Sequence, residues 1–315
     1  VAMQTVMRNS CGGFHTHMHW GSEIPDFSGT DMRGLPKVVN SFRVGSQQAH
    51  GMFLLNHDSL NCLVWIPGID KPVYVDKISV VGYPLNHFYP NSRKIPKMPG
   101  RLDRQSFLGK HSHWYIHKTK IGIVGLGGGG SHIMQQLAHL GVGNYVLCDP
   151  DIVEDSNLNR MVGSNINNVK KNSSKVEVAK RIIRAVLPEA DVTALKAPWE
   201  NCTEYLQSCD VVVGCLDTVA GRRDLEAECR RYLIPLIDIG MDVYESKTGF
   251  DVRGQVILSM PGDLCFQCYD FVNEEKLKKE AAKYGAAGGR PQVVWSNGAL
   301  ASTAIGIVVD LITGW

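Results

Sequence analysis

A run of glycines, Gly125-Leu126-Gly127-Gly128-Gly129-Gly130, constrains this chain more than any other feature. It sits between a short apolar stretch, Ile121 to Val124, and the helix expected over Ser131 to Leu140. Glycines permit a tight strand-to-helix turn and let backbone amides approach a phosphate at the positive start of the helix. The next expected strand, Tyr145 to Cys148, ends on Asp149, at roughly the 20-residue separation of a carboxylate that holds ribose hydroxyls. At this point a nicotinamide enzyme and an ATP enzyme fit equally well.

Strand–helix alternation continues beyond the loop. Ser174-Lys175-Val176-Glu177 has capping-box spacing and opens a helix with Val176, Ala179, Ile183 and Val186 on one side. Asp210 to Gly214, Leu233 to Asp238 and Gln255 to Met260 add strands. Gly298 to Gly314, interrupted by Ser302, Thr303, Gly306 and Asp310, is too short and polar to span a bilayer and reads as a buried core helix. The alternation predicts an α/β fold, a Rossmann-like, mostly parallel sheet with helices on both faces. A length of 315 residues suggests two domains. Residues 1–83, with strands at Phe53 to Leu55 and Leu63 to Ile66 around His57-Asp58-Ser59, form a smaller, partial α+β domain that opens as if truncated. Residues 84–100, with Pro84, Pro90, Pro96 and Pro99, form a linker, and residues 101–315 form the larger domain.

Charge and cysteine usage narrow the class. Lys plus Arg total 33 against 31 acids, a net charge of +2, which counts against a dedicated nucleic-acid binder. Nine cysteines, an odd number, and no signal peptide point to the reducing cytoplasm rather than to a disulfide scaffold or a membrane protein.

The run after Asp149 separates the two enzyme classes. Asp149-Pro150-Asp151-Ile152-Val153, then Ser156-Asn157-Leu158-Asn159-Arg160, preceded by Gly141-Val142-Gly143, resembles the ubiquitin-activating-enzyme-like adenylyltransferases of the ThiF/MoeB type. Lys175, Asp217 and the upstream Arg101-Leu102-Asp103-Arg104-Gln105 extend the resemblance over Arg101 to Trp315. It implies that Gly125, Gly127, Gly128 and Gly130 form the ATP loop, with Asp149 and Asp151 nearby and Asp149 on the ribose. By the same resemblance Asn157, Arg160 and Lys175 contact phosphates and Asp217 holds Mg²⁺. Arg104 reaches the leaving pyrophosphate from the second subunit of a homodimer. Taken singly, these residues read as surface salt bridges and helix caps.

The chain departs from this family at its cysteines. Cys265-Phe266-Gln267-Cys268 is half of a tetrathiolate Zn²⁺ site, and no cysteine follows Cys268; a redox pair is the alternative. Members that form a thioester carry a cysteine in the loop before the last helix, and Val272 to Val294 holds none. The acyl group then stays as the adenylate or passes to a downstream conjugating or sulfur-transfer protein. Cys148, Cys202, Cys209, Cys215 and Cys229 read as small core residues.

A second motif lies near the N-terminus. His15-Thr16-His17 ends an expected strand, so the two histidines share a face, as two metal ligands must. With Ser28-Gly29-Thr30-Asp31 downstream, it resembles the JAB/JAMM metalloisopeptidases, which cleave ubiquitin-like proteins from conjugates or precursors. The resemblance implies Zn²⁺ on His15, His17 and Asp31, with Ser28 stabilising the oxyanion. Met18 stands where proline is usual, and extra residues, among them His19 and Glu23, precede Ser28. No glutamate precedes His15 to serve as the general base. Half-buried strand histidines are the plain alternative. His111, His113 and His117 read as a solvated segment.

The two resemblances share a substrate class. The expectation is ATP-dependent adenylylation of the C-terminal glycine carboxylate of a ubiquitin-like or sulfur-carrier protein, fused to a peptidase-like domain for the same class. Alternatives are a small-molecule or tRNA-base acceptor, a nicotinamide oxidoreductase, and a non-catalytic scaffold that binds a ubiquitin-like partner.

Overall fold

The computed structural model describes residues 12–21, 25–44, 46–57, 59–90, 95–282 and 291–315. The chain divides into two compact units, residues 1–80 with 86–95, and residues 81–85 with 96–315. Each has its own buried core.

The smaller unit contains β1 (Phe14–Met18), α1 (Gly29–Arg43), β2 (His50–Leu55), β3 (Leu60–Trp65), β4 (Val73–Tyr74), β5 (Ile78–Val80) and β6 (Asn86–Phe88). Four strands make a sheet in the order β1-β2-β3-β4, with β1 parallel to β2 and the other pairs antiparallel. Helix α1 begins at Ser28, whose hydroxyl accepts from Asp31 N while the Asp31 carboxylate accepts from Ser28 N. Its buried Leu35 and Val39 are one helical turn apart, and they pack with Phe27, Met52, Leu54, Leu63 and Trp65. Of the stretch expected as a linker, Asn86–Phe88 pairs with β5 and Leu85 joins the larger unit's core.

The larger unit contains α2 (Ser112–Lys118), β7 (Lys120–Val124), α3 (Gly128–Leu140), β8 (Asn144–Cys148), α4 (Ile166–Lys170) and α5 (Lys175–Val186). There follow β9 (Asp191–Leu195), α6 (Thr203–Leu206), β10 (Val211–Gly214), α7 (Val219–Arg231), β11 (Leu236–Ser246), β12 (Gly249–Ser259), α8 (Glu274–Ala282) and α9 (Val294–Thr313). The sheet order is β12-β11-β10-β7-β8-β9, parallel except for the antiparallel β11–β12 edge. The expected α/β sheet is present, mixed through that one edge strand. Strands β7 and β10 are buried almost throughout, as a sheet covered on both faces requires. Helices α3, α5 and α9 cover one core and α7 the other.

Chain direction sets the site. From β7 the chain winds to β8 and β9 on one side, then returns to β10 and β11 on the other. Loops leaving the carboxyl ends of β7 and β10 therefore diverge, and a crevice opens between them.

Two expectations change. His111, His113 and His117 belong to the start and body of α2 rather than to a solvated segment. His117 Nδ1 lies 3.3 Å from the Gly141 carbonyl oxygen and His113 Nε2 3.0 Å from that of Pro96. The strands expected at Leu233–Asp238 and Gln255–Met260 are the inner ends of an 11-residue hairpin pair. Its outer half, Tyr244 to Val252, is almost wholly exposed, with Tyr244, Phe250 and Val252 open to solvent, so no buried face marks it.

Candidate functional site

The glycine loop closes for steric reasons. Gly125 has φ +87°, and a Cβ there would press on the Cys215 carbonyl. A Cβ at Gly130 would overlap the Gly125 carbonyl oxygen, and one at Gly128 would overlap the Asn297 side chain. Helix α3 starts on Gly127 with no side-chain cap and no acid in its first turn. Its start is therefore left to an anion.

A cavity of about 750 Å³ opens at this point, within the usual range for small-molecule sites. Its lining includes Gly125, Gly127, Gly128, Asp149, Asp151, Asn157, Arg160, Lys175 and Asp217. Gly130 lies behind the loop and does not line the cavity. Arg104, exposed in the 3-10 stretch Gly100–Leu108, does not line it either.

Asp149 organises one wall. Its Oδ2 accepts from Leu126 N at 2.7 Å and its Oδ1 from Asp151 N at 2.9 Å, so the carboxylate ties the glycine loop to the next strand. Burial raises its pKa, and Lys175 with the two amides only partly offsets this. Lys175 Nζ donates to Asp151 Oδ2 at 2.7 Å and stands 4.0 Å from Asp149 Oδ1. Asn157 Oδ1 accepts from Glu154 N at 3.0 Å, which leaves its amide end as the one chemically suited to a phosphate. Arg160 is braced by the Ser156 carbonyl and by Asn159 Oδ1, and its buried Nε has no protein acceptor among the described residues. An uncapped helix start, two cations and an orphaned guanidinium nitrogen fit a polyphosphate. A carboxylate such as Asp217 is the hard oxygen donor that Mg²⁺ takes.

Sequence reading did not single out Arg222. It lies buried on α7, donates to Asp238 Oδ2 and the Leu216 carbonyl, and lines the same cavity. Burial pushes the Asp238 carboxyl up to about 7, with Arg222 opposing. No apolar period marked it, because the buried face Arg222, Leu225, Glu226 and Cys229 carries charge at two of its four positions.

In the smaller unit the metal expectation needs correction. His17, His19 and Asp31 converge, each offering an atom within 4.8 Å of the others; His15 does not join them. The two Nε2 atoms are 3.1 Å apart, and each lies 3.3 Å from an Asp31 oxygen. Ligand atoms about 2 Å from one tetrahedral Zn²⁺ stand roughly 3.3 Å apart, the spacing of the two Nε2 atoms and, through different carboxylate oxygens, of each from Asp31. The expected strand parity holds, since residues 15, 17 and 19 alternate alike. His15, however, sits two residues back from His17, about 7 Å along the strand. His19 continues the ladder, donating its amide to the Leu55 carbonyl at 2.9 Å. Burial would raise the Asp31 carboxyl, but hydrogen bonds from Ser28 and the two histidines hold it below its ordinary value. Ser28 is thereby engaged as the α1 cap. Glu23 lies outside the described residues.

Cys265 and Cys268 bring their sulfurs to 3.4 Å. Hydrogen bonding from the Cys268 amide lowers the Cys265 thiol pKa. Among the described residues no third ligand joins them.

Residues 102–315 match the ThiF family, and the chain belongs to it. A molybdopterin-synthase adenylyltransferase from Haemophilus influenzae is 37% identical over 124 residues, which is 39% of this chain and 50% of that protein. A SAMP-activating enzyme E1 from Haloferax volcanii is 31% identical over 163 residues, 51% of this chain and 57% of that protein. The matches thus span about half the length of these curated relatives. A crystal structure of Escherichia coli MccB with succinimide shares the fold, with a TM-score of 0.55 at 21% identity, covering 69% of this chain and 65% of that one.

Proposed function

We propose that the larger unit adenylylates the C-terminal glycine carboxylate of a ubiquitin-like or sulfur-carrier protein. The observation that carries this reading is one cavity in which an uncapped helix start, Asp149, Arg160, Lys175 and Asp217 meet. Attack of a carboxylate oxygen on the α-phosphorus of ATP forms one P–O bond. The bond to the β-phosphate oxygen breaks, and pyrophosphate leaves with the electron pair. The reaction brings two anions together, so positioning and charge neutralisation supply most of the acceleration. Asp149 orients the ribose, while Arg160, Lys175 and the α3 start hold phosphate oxygens. Asp217 would hold Mg²⁺, which would supply positive charge against the leaving pyrophosphate. The relatives named as adenylyltransferase and activating enzyme support this substrate class. Arg104, outside the cavity of its own chain, serves the site of a second copy in a cytoplasmic homodimer. Sedimentation velocity checks the dimer, and cell fractionation the compartment.

The smaller unit is read as a JAB/JAMM-like Zn²⁺ site on His17, His19 and Asp31, facing the same class of protein. Hydrolysis at such a site requires a carboxylate base to take a proton from the metal-bound water. The assignment predicts one zinc per chain by metal analysis, lost in Asp31→Ala.

ATP–pyrophosphate exchange with carriers ending in glycine tests the adenylylation. Exchange that requires the carrier and disappears in Asp217→Ala is the expected result. No exchange with any carrier would move the acceptor to a small molecule or tRNA base if ATP still binds, and would leave a non-catalytic scaffold if it does not.

A further inference from the structure

The turn that follows β12 carries two thiols that lie outside the nucleotide cavity. Cys268 is exposed and Cys265 half-buried. Their sulfurs stand 3.4 Å apart, against roughly 2.0 Å in a disulfide bond. The other described cysteines differ in kind. Cys62, Cys148, Cys202, Cys209 and Cys229 are buried, and Cys215 lines the nucleotide cavity. Burial pushes the thiols of Cys62, Cys148, Cys202, Cys215 and Cys229 up, away from the reactive thiolate. At Cys265 the Cys268 amide bonds the sulfur and favours its negative charge.

The turn is held by anchors other than its sulfurs. Phe266 is fully buried, edge-on to Phe271 at 5.3 Å, and its amide donates to Glu226 Oε1 at 2.8 Å. Arg230 donates to the carbonyls of Met260 at 3.0 Å and Asp263 at 2.8 Å. Inside the turn, Tyr269 N donates to the Cys265 carbonyl at 3.1 Å and Phe271 N to that of Phe266 at 2.9 Å. Helix α7, through Glu226 and Arg230, thus fixes the backbone that carries both cysteines. Two thiols held this close react with each other as an intramolecular pair, at high effective concentration. Among the described residues no third ligand joins them, whereas a structural Zn²⁺ takes four.

We propose that Cys265 and Cys268 form a thiol–disulfide exchange site whose reaction partner is a low-molecular-weight disulfide. The exposed Cys268 thiolate attacks one sulfur of that molecule. A bond forms between the two sulfurs, the small disulfide's own S–S bond breaks, and one small thiolate leaves and takes up a proton. Cys265 then attacks the Cys268 sulfur, the mixed disulfide breaks, and the second small thiol is released. The pair loses two electrons and two protons, and the small disulfide gains them as it becomes two thiols. Excess small thiol runs the same steps backwards. This chemistry is separate from adenylylation and does not depend on it.

The test uses the native full chain with oxidised glutathione as the probe. Remaining thiols are alkylated, and the proteolytic peptides are mapped by mass. The peptide holding Cys265 and Cys268 is expected to become lighter by two hydrogens, and to return to the dithiol in excess reduced glutathione. The buried cysteines stay reduced throughout. Cys265→Ser should lose the disulfide and accumulate glutathione on Cys268, because the resolving thiol is gone; Cys268→Ser should lose the disulfide as well.

A Cys265–Cys268 peptide that remains a dithiol in excess oxidised glutathione overturns the proposal. So does a Cys265→Ser chain that traps no adduct on Cys268, or oxidation that strikes the buried cysteines equally. Metal analysis in an Asp31→Ala background supplies the last check. Zinc that persists there and is lost on adding Cys265→Ser makes the pair a metal half-site and overturns the exchange role.

Discussion

Asp149 shows how much one side chain does in this site. Its two oxygens accept from the amides of Leu126 and Asp151, so it fixes the loop before any ribose arrives. Replacing it with asparagine leaves one acceptor oxygen for two backbone donors, and an orphaned buried amide costs about 1–3 kcal/mol. Asp149→Asn should therefore lower the denaturant midpoint as well as ATP affinity, measured by urea unfolding and calorimetry. The pKa shift sets the pH behaviour. Burial raises the folded-state pKa, so the group's contribution to stability is full below the ordinary carboxylate value and fades as pH rises through the raised one. In the proposed role, ribose binding needs the ionised form and runs the other way. ATP affinity should fall on acidification from above the ordinary carboxylate range, and this limb should be absent in Asp149→Asn. Position and type at Asp149 were legible from spacing after the glycine loop. Arg222 was not, because its value comes from Asp238 and Leu216, which only folding brings to it.

At the level of elements, the α3 start and the α1 cap do the positioning. A glycine inside a helix ordinarily costs about 1 kcal/mol relative to alanine. At Gly130 the sign reverses, since an added Cβ overlaps the Gly125 carbonyl oxygen. Gly130→Ala should destabilise by about 1–3 kcal/mol, the usual range for overpacking, and loosen ATP binding; chemical denaturation and calorimetry check both. Helix α1 joins its cap and a candidate metal ligand into one unit, because Ser28 and Asp31 cap each other while Asp31 faces His17 and His19. Strand parity made the histidine face legible in the sequence. Which two of three alternating histidines meet Asp31 was not, because that depends on where α1 starts relative to the end of β1.

For the whole molecule, the two units bury separate cores and hold separate sites. Stripping zinc with a chelator, or removing the site with Asp31→Ala, should leave ATP affinity unchanged, as calorimetry on treated and untreated protein would show. A coupled loss of ATP binding would contradict that independence. Local sequence alone determined the glycine turn, the alternation that makes an α/β sheet and the carboxylates and cations that mark a nucleotide site. These depend on φ preference, side-chain period and residue type, all carried within short windows of chain. Tertiary structure alone decided that His17 and His19 rather than His15 meet Asp31, that Arg222 turns inward, and that Glu280 closes a helix begun some 60 residues earlier. Each of those facts is a distance between residues remote in sequence, and such distances are set only when the sheet order and the packing of helices on it are set.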